Sequence, residues 1–408
     1  MRILYVCHRF PYPPKRGGKI RPFNMIRHLS RSHEVTVCSL SRSDTESAEA
    51  QGIAPFCAEF HLAQVNDRVQ MLRMIASLPT PITASASYFH SARLARTINR
   101  LLAESRFDLI FVHCSSAAHY VRNVRGVPKI LDFGDMDSQK WLEYAQYKPF
   151  PLSAGYRWEG MRLHAEERQL ARRFDFCTAT TRAEWETLKE LAVDTPNDWF
   201  PNGVDSDYFA PDGESYDADT VSFVGRMDYY PNQECMFEFV ASTWPIIRER
   251  RPDAKLLIVG ADPSLAIRKL GERPGVQVTG SVPDVRPYVR RSAAMVAPLN
   301  IARGTQNKIL EAMAMGVPVV TSEVAAGGVD AVAGEHLFVA KDRAECAEAV
   351  LRLMADKSER ARLAEAGRTR MLSNHTWRKS MQRLDGIIER CLNVPAKQAQ
   401  LEHCEVKC

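Results

Sequence analysis

The chain has 408 residues, of which 45% are hydrophobic and 25% are charged, and its formal net charge at pH 7 is +5. This length suits two domains with separate interiors, and the composition excludes wholesale disorder and a membrane-embedded body. The small positive excess fits a negatively charged small ligand, an anionic membrane surface or nucleic acid equally well.

Targeting and metal-binding patterns are missing from the sequence. The longest purely apolar runs are the size of a strand, and none approaches the roughly 18 to 20 residues that cross a bilayer. The apolar run near the start, ILYV, is too short for a signal peptide. The cysteines lack the spacing of a zinc site. We therefore expect a cytoplasmic protein whose cysteines are reduced and mostly buried.

The chain opens with a strand-like run, RILYVC, and a loop containing Gly17 and Gly18 separates this run from an amphipathic stretch. Two adjacent glycines permit φ values that other residues avoid, so the loop can fold over a phosphate or an incoming acceptor. A simple mobile connection is the alternative. The basic residues that would supply charge to this loop are Lys15, Arg16, Lys19 and Arg21.

Strand-like runs alternate with amphipathic stretches through the first half of the chain, which predicts a parallel sheet covered by helices. One stretch, RVQMLRMIASL, places Arg68 and Arg73 beside Met and Leu. This pattern is typical of a helix resting on an anionic membrane and also of an ordinary half-buried helix. The further runs are EVTVCSL, FDLIFVHC, KILDF and DFCTATT.

Three carboxylates, Asp132, Asp135 and Asp137, lie at the end of the strand-like run KILDF. In that position they can deprotonate an acceptor hydroxyl or bind a metal. His113 ends the preceding run, FDLIFVHC, and is a second candidate for the same edge of the sheet.

A segment rich in Pro, Gly, Asn and Asp, FPNGVDSDYFAPDGESYDADT, suits a linker, and the alternation restarts after it with TVSFVG. The boundary therefore falls near residue 205. We predict an N-terminal domain over 1–204, a second domain over 205–375, a C-terminal helix over 376–394 that packs back on the first domain, and a mobile tail over 395–408.

The strongest pattern is APLNIARGTQNKILEAMAMGVPVV, in which a strand ends, a turn with Gly304 follows, and a helix starts near Thr305 and stops at Gly316. The start of such a helix favours a diphosphate. Lys308 and Glu311 are three residues apart, so an ammonium can meet phosphate while a carboxylate accepts hydrogen bonds from a ribose. A surface ion pair is the alternative.

The run from Glu311 to Val320, EAMAMGVPVV, resembles the signature Glu-Ala-Met-Ala-x-Gly-x-Pro-Val-Val of glycosyltransferase family 4. The resemblance implies a GT-B fold, in which two Rossmann-like doubly wound parallel-sheet domains face a central cleft. In that family the glutamate matching Glu311 binds the donor ribose, and a glutamate eight positions earlier contacts the sugar. Here that earlier position is Arg303, so the ribose contact carries over and the hexose contact does not.

The sequence SFVGRMDYYPN is a second match, because the family places an arginine on the donor diphosphate where Arg226 stands. The family usually adds a lysine shortly afterwards. This chain has Pro231 and Asn232 there, and Lys308 is the candidate for the missing charge. The donor-binding residues that the resemblance implies are Arg226, Gly304, Thr305, Gln306, Asn307, Lys308 and Glu311.

The N-terminal half is similar to the family mainly in the order of strands and loops. Family members often present a catalytic or sugar-orienting side chain from the strand end where His113 stands, and a core histidine is the alternative. Asp135 and Asp137 form an Asp-x-Asp pair of the kind that binds a metal in GT-A enzymes. Those enzymes have one nucleotide-binding domain, so we assign the pair to the acceptor side or to structure. The catalytic candidates are His113, Asp135 and Asp137.

The sequence GTQNK resembles a subgroup of exopolysaccharide-associated sugar transferases. The resemblance implies a nucleotide-diphosphate sugar as donor, a glycan or lipid-linked glycan as acceptor, retention of configuration, and no metal or other cofactor. It also implies peripheral contact with the inner face of the membrane and no nucleic-acid partner. Two alternatives remain open: a nucleotide-sugar 2-epimerase of the same architecture and a non-catalytic sugar-nucleotide-binding protein.

Overall fold

The computed structural model describes residues 1–14 and 17–393. Internal contacts divide the chain into two compact units: unit 1 is Met1–Phe200 together with the chain from Met381, and unit 2 is Pro201–Ser380. Each unit has a parallel sheet and a hydrophobic core of its own. The predicted tail over 395–408, like Lys15 and Arg16 of the predicted glycine loop, lies outside the described residues.

Unit 1 is built on a sheet of seven parallel strands. These are β1 (Arg2–Cys7), β2 (Glu34–Ser41), β3 (Glu59–Gln64), β4 (Leu109–His113), β5 (Lys129–Gly134), β6 (Phe176–Ala179) and β7 (Asn197–Trp199). Their order across the sheet is β3-β2-β1-β4-β5-β6-β7. The central strand β4 is buried along its whole length, as expected for a parallel sheet covered on both faces, and this burial explains the unbroken apolar run LIFV.

The helices of unit 1 owe their burial to apolar residues spaced three and four apart. In α5, for example, Leu94, Ile98 and Leu101 are buried and the other faces are exposed. The helices are α1 (Gly17–Leu29), α2 (Asp44–Glu49), α3 (Asp67–Ser77), α4 (Ala84–Tyr88), α5 (Ala92–Glu104), α6 (Ser115–Ala118), α7 (Asp137–Tyr147), α8 (Leu152–Arg173) and α9 (Arg182–Leu191).

Unit 2 contains a sheet of six parallel strands. They are β8 (Asp217–Val224), β9 (Lys255–Val259), β10 (Val276–Gly280), β11 (Ser292–Ala297), β12 (Val319–Ser322) and β13 (Phe338–Ala340), in the order β10-β9-β8-β11-β12-β13. The helices are α10 (Tyr230–Glu238), α11 (Trp244–Arg250), α12 (Leu265–Lys269), α13 (Arg286–Arg290), α14 (Asn307–Ala314), α15 (Glu323–Ala326), α16 (Arg343–Ala355) and α17 (Lys357–Asn374).

The last helix, α18 (Trp377–Asn393), begins in unit 2 and continues into unit 1 from Met381. Within unit 1, Asp385 of this helix lies 2.8 Å from His28 of α1, and Arg390 pairs with Asp198 of β7. No helix in the two described ranges combines the length and the apolar character needed to cross a bilayer.

In both sheets, the order in which successive strands are added reverses at the first strand. β1 lies between β2 and β4, and β8 lies between β9 and β11. This is the order of doubly wound sheets, in which ligands bind beyond the carboxyl ends of the strands at the reversal. We call the end of β1 and β4 the switch point of unit 1, and the end of β8 and β11 the switch point of unit 2. The prediction of two Rossmann-like parallel-sheet domains is confirmed.

Candidate functional site

The turn after β8 forms one side of the switch point of unit 2. Gly225 and Arg226 follow β8 directly, and the Gly225 N–H donates to the Val259 carbonyl oxygen at 3.0 Å. A Cβ at position 225 would lie 2.6 Å from Nδ2 of Asn232 and 3.2 Å from Nζ of Lys308. Glycine at this position therefore makes room for Lys308 to approach the end of β8.

Arg226 has a side chain that is 37% exposed and lies between two carboxylates. Its Nε and Nη2 donate to Asp228 at 2.9 and 2.5 Å, and Nη2 also donates to Asp262 at 2.9 Å. The hydrogen bonds to Asp228 are the main reason why the pKa of Arg226 is raised. The sequence indicates Arg226 and gives no sign of these partners, since Asp262 follows a different strand.

The turn after β11 carries two features suited to a ligand. Gly304 has a φ of +64°, and a Cβ at Gly328 would lie 2.3 Å from the Gly304 carbonyl oxygen, so glycine is needed at both positions. The Thr305 hydroxyl is buried, and within the chain as described it has no hydrogen-bond partner. Buried polar groups are rarely left unpaired, so this hydroxyl is a candidate contact for a ligand.

The helix after this turn starts two residues later than the sequence predicts. It begins at Asn307 rather than Thr305, because Gln306 has the non-helical angles φ −85° and ψ 82° and its Nε2 donates back to the Arg303 carbonyl oxygen at 3.1 Å. The first turn contains no acidic residue, and no side chain caps it. Its positive dipole end can therefore interact with an anion. Asn307 Oδ1 accepts from Asn202 at 3.4 Å.

Lys308 and Glu311 lie one turn apart on α14 and do not form the ion pair that the sequence left open. Lys308 Nζ donates to Asn232 at 2.6 Å and lies 4.4 Å from the centre of the Phe223 ring. Burial lowers the pKa of Lys308 to about 8 and raises the pKa of Glu311 to about 7. No hydrogen bond to the Glu311 carboxylate comes from the described chain. Both charges would gain from a ligand that supplies partners.

Lys308 Nζ lies next to the turn that carries Arg226, the side of the site for which the sequence offered Lys308 as the missing charge. Asn232 accepts a hydrogen bond from Lys308 through Oδ1, and its Nδ2 donates to the Arg226 carbonyl oxygen at 2.8 Å. Arg226, Asn232 and Lys308 are therefore linked at the switch point of unit 2. The ammonium group reaches this position from α14 although its residue is 76 positions away from Asn232.

The switch point of unit 1 contains a buried charge network centred on Asp132. His113, the last residue of β4, is 5% exposed, and its Nδ1 lies 2.7 Å from Asp132 Oδ2. Arg21 of α1 donates to both carboxylate oxygens of Asp132 at 2.9 Å and to the Phe200 carbonyl oxygen at 2.9 Å. Thr178 donates to Asp132 Oδ1, also at 2.9 Å. Both oxygens of this carboxylate are therefore satisfied.

The network fixes the protonation of Asp132 and the orientation of His113. Burial alone would raise the pKa of Asp132, but the charge of Arg21 and the hydrogen bond from His113 outweigh burial and hold the pKa well below its usual range. An ionised carboxylate only accepts, so Nδ1 of His113 carries a proton and Nε2 is left for other contacts. Arg21 is thus an internal partner of Asp132, whereas the sequence predicts that it supplies charge to a phosphate loop.

Gly17 and Gly18 of the predicted loop are the first two residues of a helix. Helix α1 begins at Gly17, and a Cβ at Gly18 would meet nothing within 4 Å, so neither crowding nor a positive φ requires glycine at position 18. Lys19 pairs with Glu46 in the same unit. Arg21 is buried against Asp132, so it does not line an open phosphate loop, whereas the role of Lys19 in binding a phosphate stays a prediction.

Asp135 and Asp137 follow β5 and are half-buried. Burial raises the pKa of both carboxyls, and the nearby charge of Lys140 opposes this rise. Neither residue is hydrogen-bonded to Asp132 or His113 in the described structure. Throughout residues 1–14 and 17–393, no three His, Cys, Asp or Glu side chains form a group that could hold a metal. The role of the pair as an acceptor-side base stays a prediction.

Two further residues at the switch point of unit 1 are not predicted by the sequence patterns above. His8 follows β1, and its ring centre lies 6.3 Å from that of His113; burial lowers the pKa of His8 well below its usual value. Cys114 follows β4 with a φ of +73°, which is rare for a residue other than glycine. The sequence VCHRF shows a histidine one residue beyond the first strand, so His8 could have been proposed from the sequence. The positive φ of Cys114 has no counterpart in the sequence pattern.

Two protein families match the chain, one in each half. Residues 16–208 match the family described as Glycosyltransferase Family 4, and residues 218–356 match the family described as Glycosyl transferases group 1. No curated protein sequence matches the chain.

Solved structures share the fold at low sequence identity. Sucrose-phosphate synthase from Thermosynechococcus elongatus has a TM-score of 0.71 and 16% identity over 97% of this chain and 100% of its own. Anabaena HepE in complex with UDP has a TM-score of 0.69 and 14% identity, over 96% of this chain and 100% of its own. A glycosyltransferase from Rickettsia africae has a TM-score of 0.65 and 12% identity, over 97% of this chain and 99% of its own. The chain therefore has the GT-B fold, and the two matched regions, which together span most of it, place it among the glycosyltransferases.

Proposed function

We propose that the protein transfers a sugar from a nucleotide-diphosphate donor, bound by unit 2, to a glycan or lipid-linked glycan. The observation that carries this proposal is the meeting of Arg226, Lys308 and the start of α14 at the switch point of unit 2. Positive groups at the carboxyl ends of strands suit a diphosphate, and this is where doubly wound sheets bind nucleotides. HepE was solved with UDP, with UDP and glucose, and with UDP-glucose, which supports a ligand of this class.

Each group of the donor site has a proposed contact. Arg226 and Lys308 bind the diphosphate, the Thr305 hydroxyl donates to it, and Glu311 accepts hydrogen bonds from the ribose hydroxyls. The same positive groups stabilise the negative charge that develops on the departing diphosphate, so we expect the transfer to proceed without a metal or other cofactor.

Unit 1 is the proposed acceptor side. His113 presents Nε2 to the acceptor or the transferred sugar while Asp132 holds Nδ1, and Asp135 and Asp137 are candidates for the base. By resemblance to the exopolysaccharide subgroup, we expect retention of configuration, a bacterial exopolysaccharide as product, and a cytoplasmic location in contact with the inner face of the membrane. Nucleic acid is not an expected partner.

The proposal is tested by incubating the purified protein with UDP-, GDP-, ADP-, dTDP- and CMP-sugars and analysing the products by mass spectrometry. We expect slow release of one nucleotide without an acceptor, faster release and a glycosylated product with the right acceptor, and loss of both in Arg226→Ala and Glu311→Ala. Arg250→Ala, which removes an exposed ion-paired arginine of the same unit, is the matched control. An epimerised nucleotide sugar would identify an epimerase, and no reaction with any donor would favour a binding protein.

A further inference from the structure

Two segments of unit 1 expose large apolar side chains to solvent. On α3 and the turn that follows it, the exposed side chains include Val69, Leu72, Ile75 and Ile82. On the turn between α7 and α8, and along the first turns of α8, they include Phe150, Leu152, Trp158 and Met161. Phe150 is 83% exposed and Leu72 is 67% exposed, so these are protruding side chains rather than edges of the core.

Helix α3 is inverted relative to an ordinary surface helix, which buries its apolar side and exposes its polar side. Gln70 is only 2% exposed, and its Nε2 donates to the carbonyl oxygens of Tyr88 and His90 at 2.6 and 2.9 Å. Arg73 donates to the same His90 carbonyl at 3.1 Å. Polar contacts therefore attach α3 to unit 1, and its apolar residues, such as Leu72, face solvent.

The two segments are joined into one surface by α8. Arg162 of α8 donates to the Leu78 carbonyl oxygen at 3.4 Å, and its guanidinium lies 6.0 Å from the Trp158 ring. Glu159 accepts from the Ala84 N–H at 2.7 Å. The chain that follows α3 is thus bound to α8 one turn away from Trp158. We call the exposed residues Leu72, Ile75, Ile82, Phe150 and Trp158 the apolar surface of unit 1.

The two segments that carry this surface contain several basic residues and very few acidic ones. The sequence has no Asp or Glu between Asp67 and Glu104. Between Glu143 and Glu166 the sole acidic residue is Glu159, which is buried and pairs with Arg162 at 3.6 Å. The exposed cations of the two segments are Arg68, Arg73 and Arg157. The surface therefore combines protruding apolar side chains with a positive charge.

We propose that the apolar surface of unit 1 binds an anionic lipid bilayer. Apolar and aromatic side chains flanked by arginines insert at the boundary between headgroups and acyl chains, while the arginines attract anionic headgroups. This inference rests on the proposed function for its purpose, because unit 1 on the bilayer can meet an acceptor that is anchored there. The binding surface is distinct from both switch points.

The experiment is co-sedimentation of the full chain with vesicles of phosphatidylcholine alone and of phosphatidylcholine mixed with phosphatidylglycerol. We expect binding to the anionic vesicles and little to the neutral ones. The double variant Leu72→Ser/Phe150→Ser lacks two of the inserted side chains, and we expect its affinity for anionic vesicles to be lower by about tenfold or more. Arg68→Gln and Arg157→Gln each weaken binding about fivefold, and added salt has the same effect.

Val193→Ser is the matched control, since Val193 is an apolar residue of unit 1 that is 72% exposed and lies outside both segments. It leaves vesicle binding unchanged. Wild type that stays in the supernatant with anionic vesicles, or a loss in Val193→Ser as large as in the double variant, would overturn the proposal. So would a wild-type dimer in solution that Leu72→Ser/Phe150→Ser dissociates, because a second copy would then cover this surface.

The melting temperature with UDP, measured on the same preparations, separates this inference from the proposed function. If the wild-type protein does not bind anionic vesicles but a nucleotide still raises its melting temperature, the lipid-binding surface alone is rejected. Vesicle binding that is intact while none of UDP, GDP, ADP, dTDP and CMP shifts the melting temperature rejects the donor site alone.

Discussion

The two switch points have the same topology, but Asp132 in unit 1 and the pair Lys308 and Glu311 in unit 2 are in opposite electrostatic states. In unit 1, Asp132 is fully paired with Arg21 and His113, and its pKa is held low against burial. In unit 2, Lys308 and Glu311 have pKa values shifted by burial towards their neutral forms. A buried charge with all its partners orients its neighbours, whereas one without them gains most from a ligand. We therefore propose that Asp132 positions its neighbours and that Lys308 and Glu311 bind the ligand.

Stability separates the two sites most strongly. Asp132→Ala leaves Arg21 buried without its carboxylate, so the free energy of unfolding of unit 1 falls by about 3 to 5 kcal/mol. Glu311→Ala removes a carboxylate that accepts no hydrogen bond within the described chain, and the free energy changes by less than about 1 kcal/mol. Urea unfolding followed by circular dichroism measures both. Equal losses in the two variants would contradict the comparison.

We expect nucleotide affinity to depend on the charged residues of unit 2 and not on those of unit 1. If the proposed donor site is correct, Lys308→Met and Glu311→Gln each remove a charged hydrogen-bonding partner and weaken binding of the selected nucleoside diphosphate by about 1.5 to 3 kcal/mol. His113→Ala, in unit 1, leaves UDP affinity unchanged although it lowers transfer. Calorimetric titration gives the dissociation constants, with Lys341→Met as a control for an exposed lysine of unit 2. A His113→Ala variant as weak as Lys308→Met would show that the two sites are not separate in function.

The pH dependence of binding of the selected nucleoside diphosphate is the direct test of the proposed roles of Lys308 and Glu311. The diphosphate binds protonated Lys308, so affinity is present below pH 8 and falls as pH rises through its pKa of about 8, by at most about tenfold per pH unit. The ribose hydroxyls donate to ionised Glu311, so affinity is lost as pH falls through its pKa of about 7. Lys308→Arg should remove the alkaline decline and Glu311→Gln the acid decline; a profile unchanged in both would reject these assignments.

Two glycines give the smallest expected effects, with opposite signs. Gly18→Ala places a Cβ in open space on a helix and raises the free energy of unfolding by about 0.5 to 1 kcal/mol. Gly225→Ala places a Cβ 2.6 Å from Asn232, so this side chain and Lys308 must shift and UDP affinity falls. Thermal unfolding and UDP titration of both variants measure these changes. Loss of nucleotide binding in Gly18→Ala would support the phosphate loop predicted from the sequence.

Much of the fold follows from local patterns. Short apolar runs alternate with amphipathic stretches, and this alternation predicts both parallel sheets. The turn around Gly304 and the helix carrying Lys308 and Glu311 are also visible, because glycine, helix periodicity and the family signature occur within one short segment. The exact start of α14 is not visible, since it depends on the hydrogen bond from Gln306 to the Arg303 carbonyl oxygen.

The pairing of distant charges could not be predicted from the sequence. Arg21 and Asp132 are 111 residues apart, and no local pattern shows that an arginine beside a glycine pair is bound inside the fold. The bond between Lys308 and Asn232 likewise depends on how α14 packs next to β8. The apolar exposure of α3 required the structure for the same reason, because an amphipathic pattern gives two faces and does not say which one is buried.

The most direct test of the donor site in unit 2 is a thermal-shift screen of the purified protein against UDP, GDP, ADP, dTDP and CMP, repeated with Arg226→Ala and Glu311→Ala. A ligand that binds only the folded state raises the melting temperature. We predict a rise with one nucleoside diphosphate that both variants abolish. A rise that survives in both variants would place the nucleotide elsewhere, and no rise with any nucleotide would contradict the account.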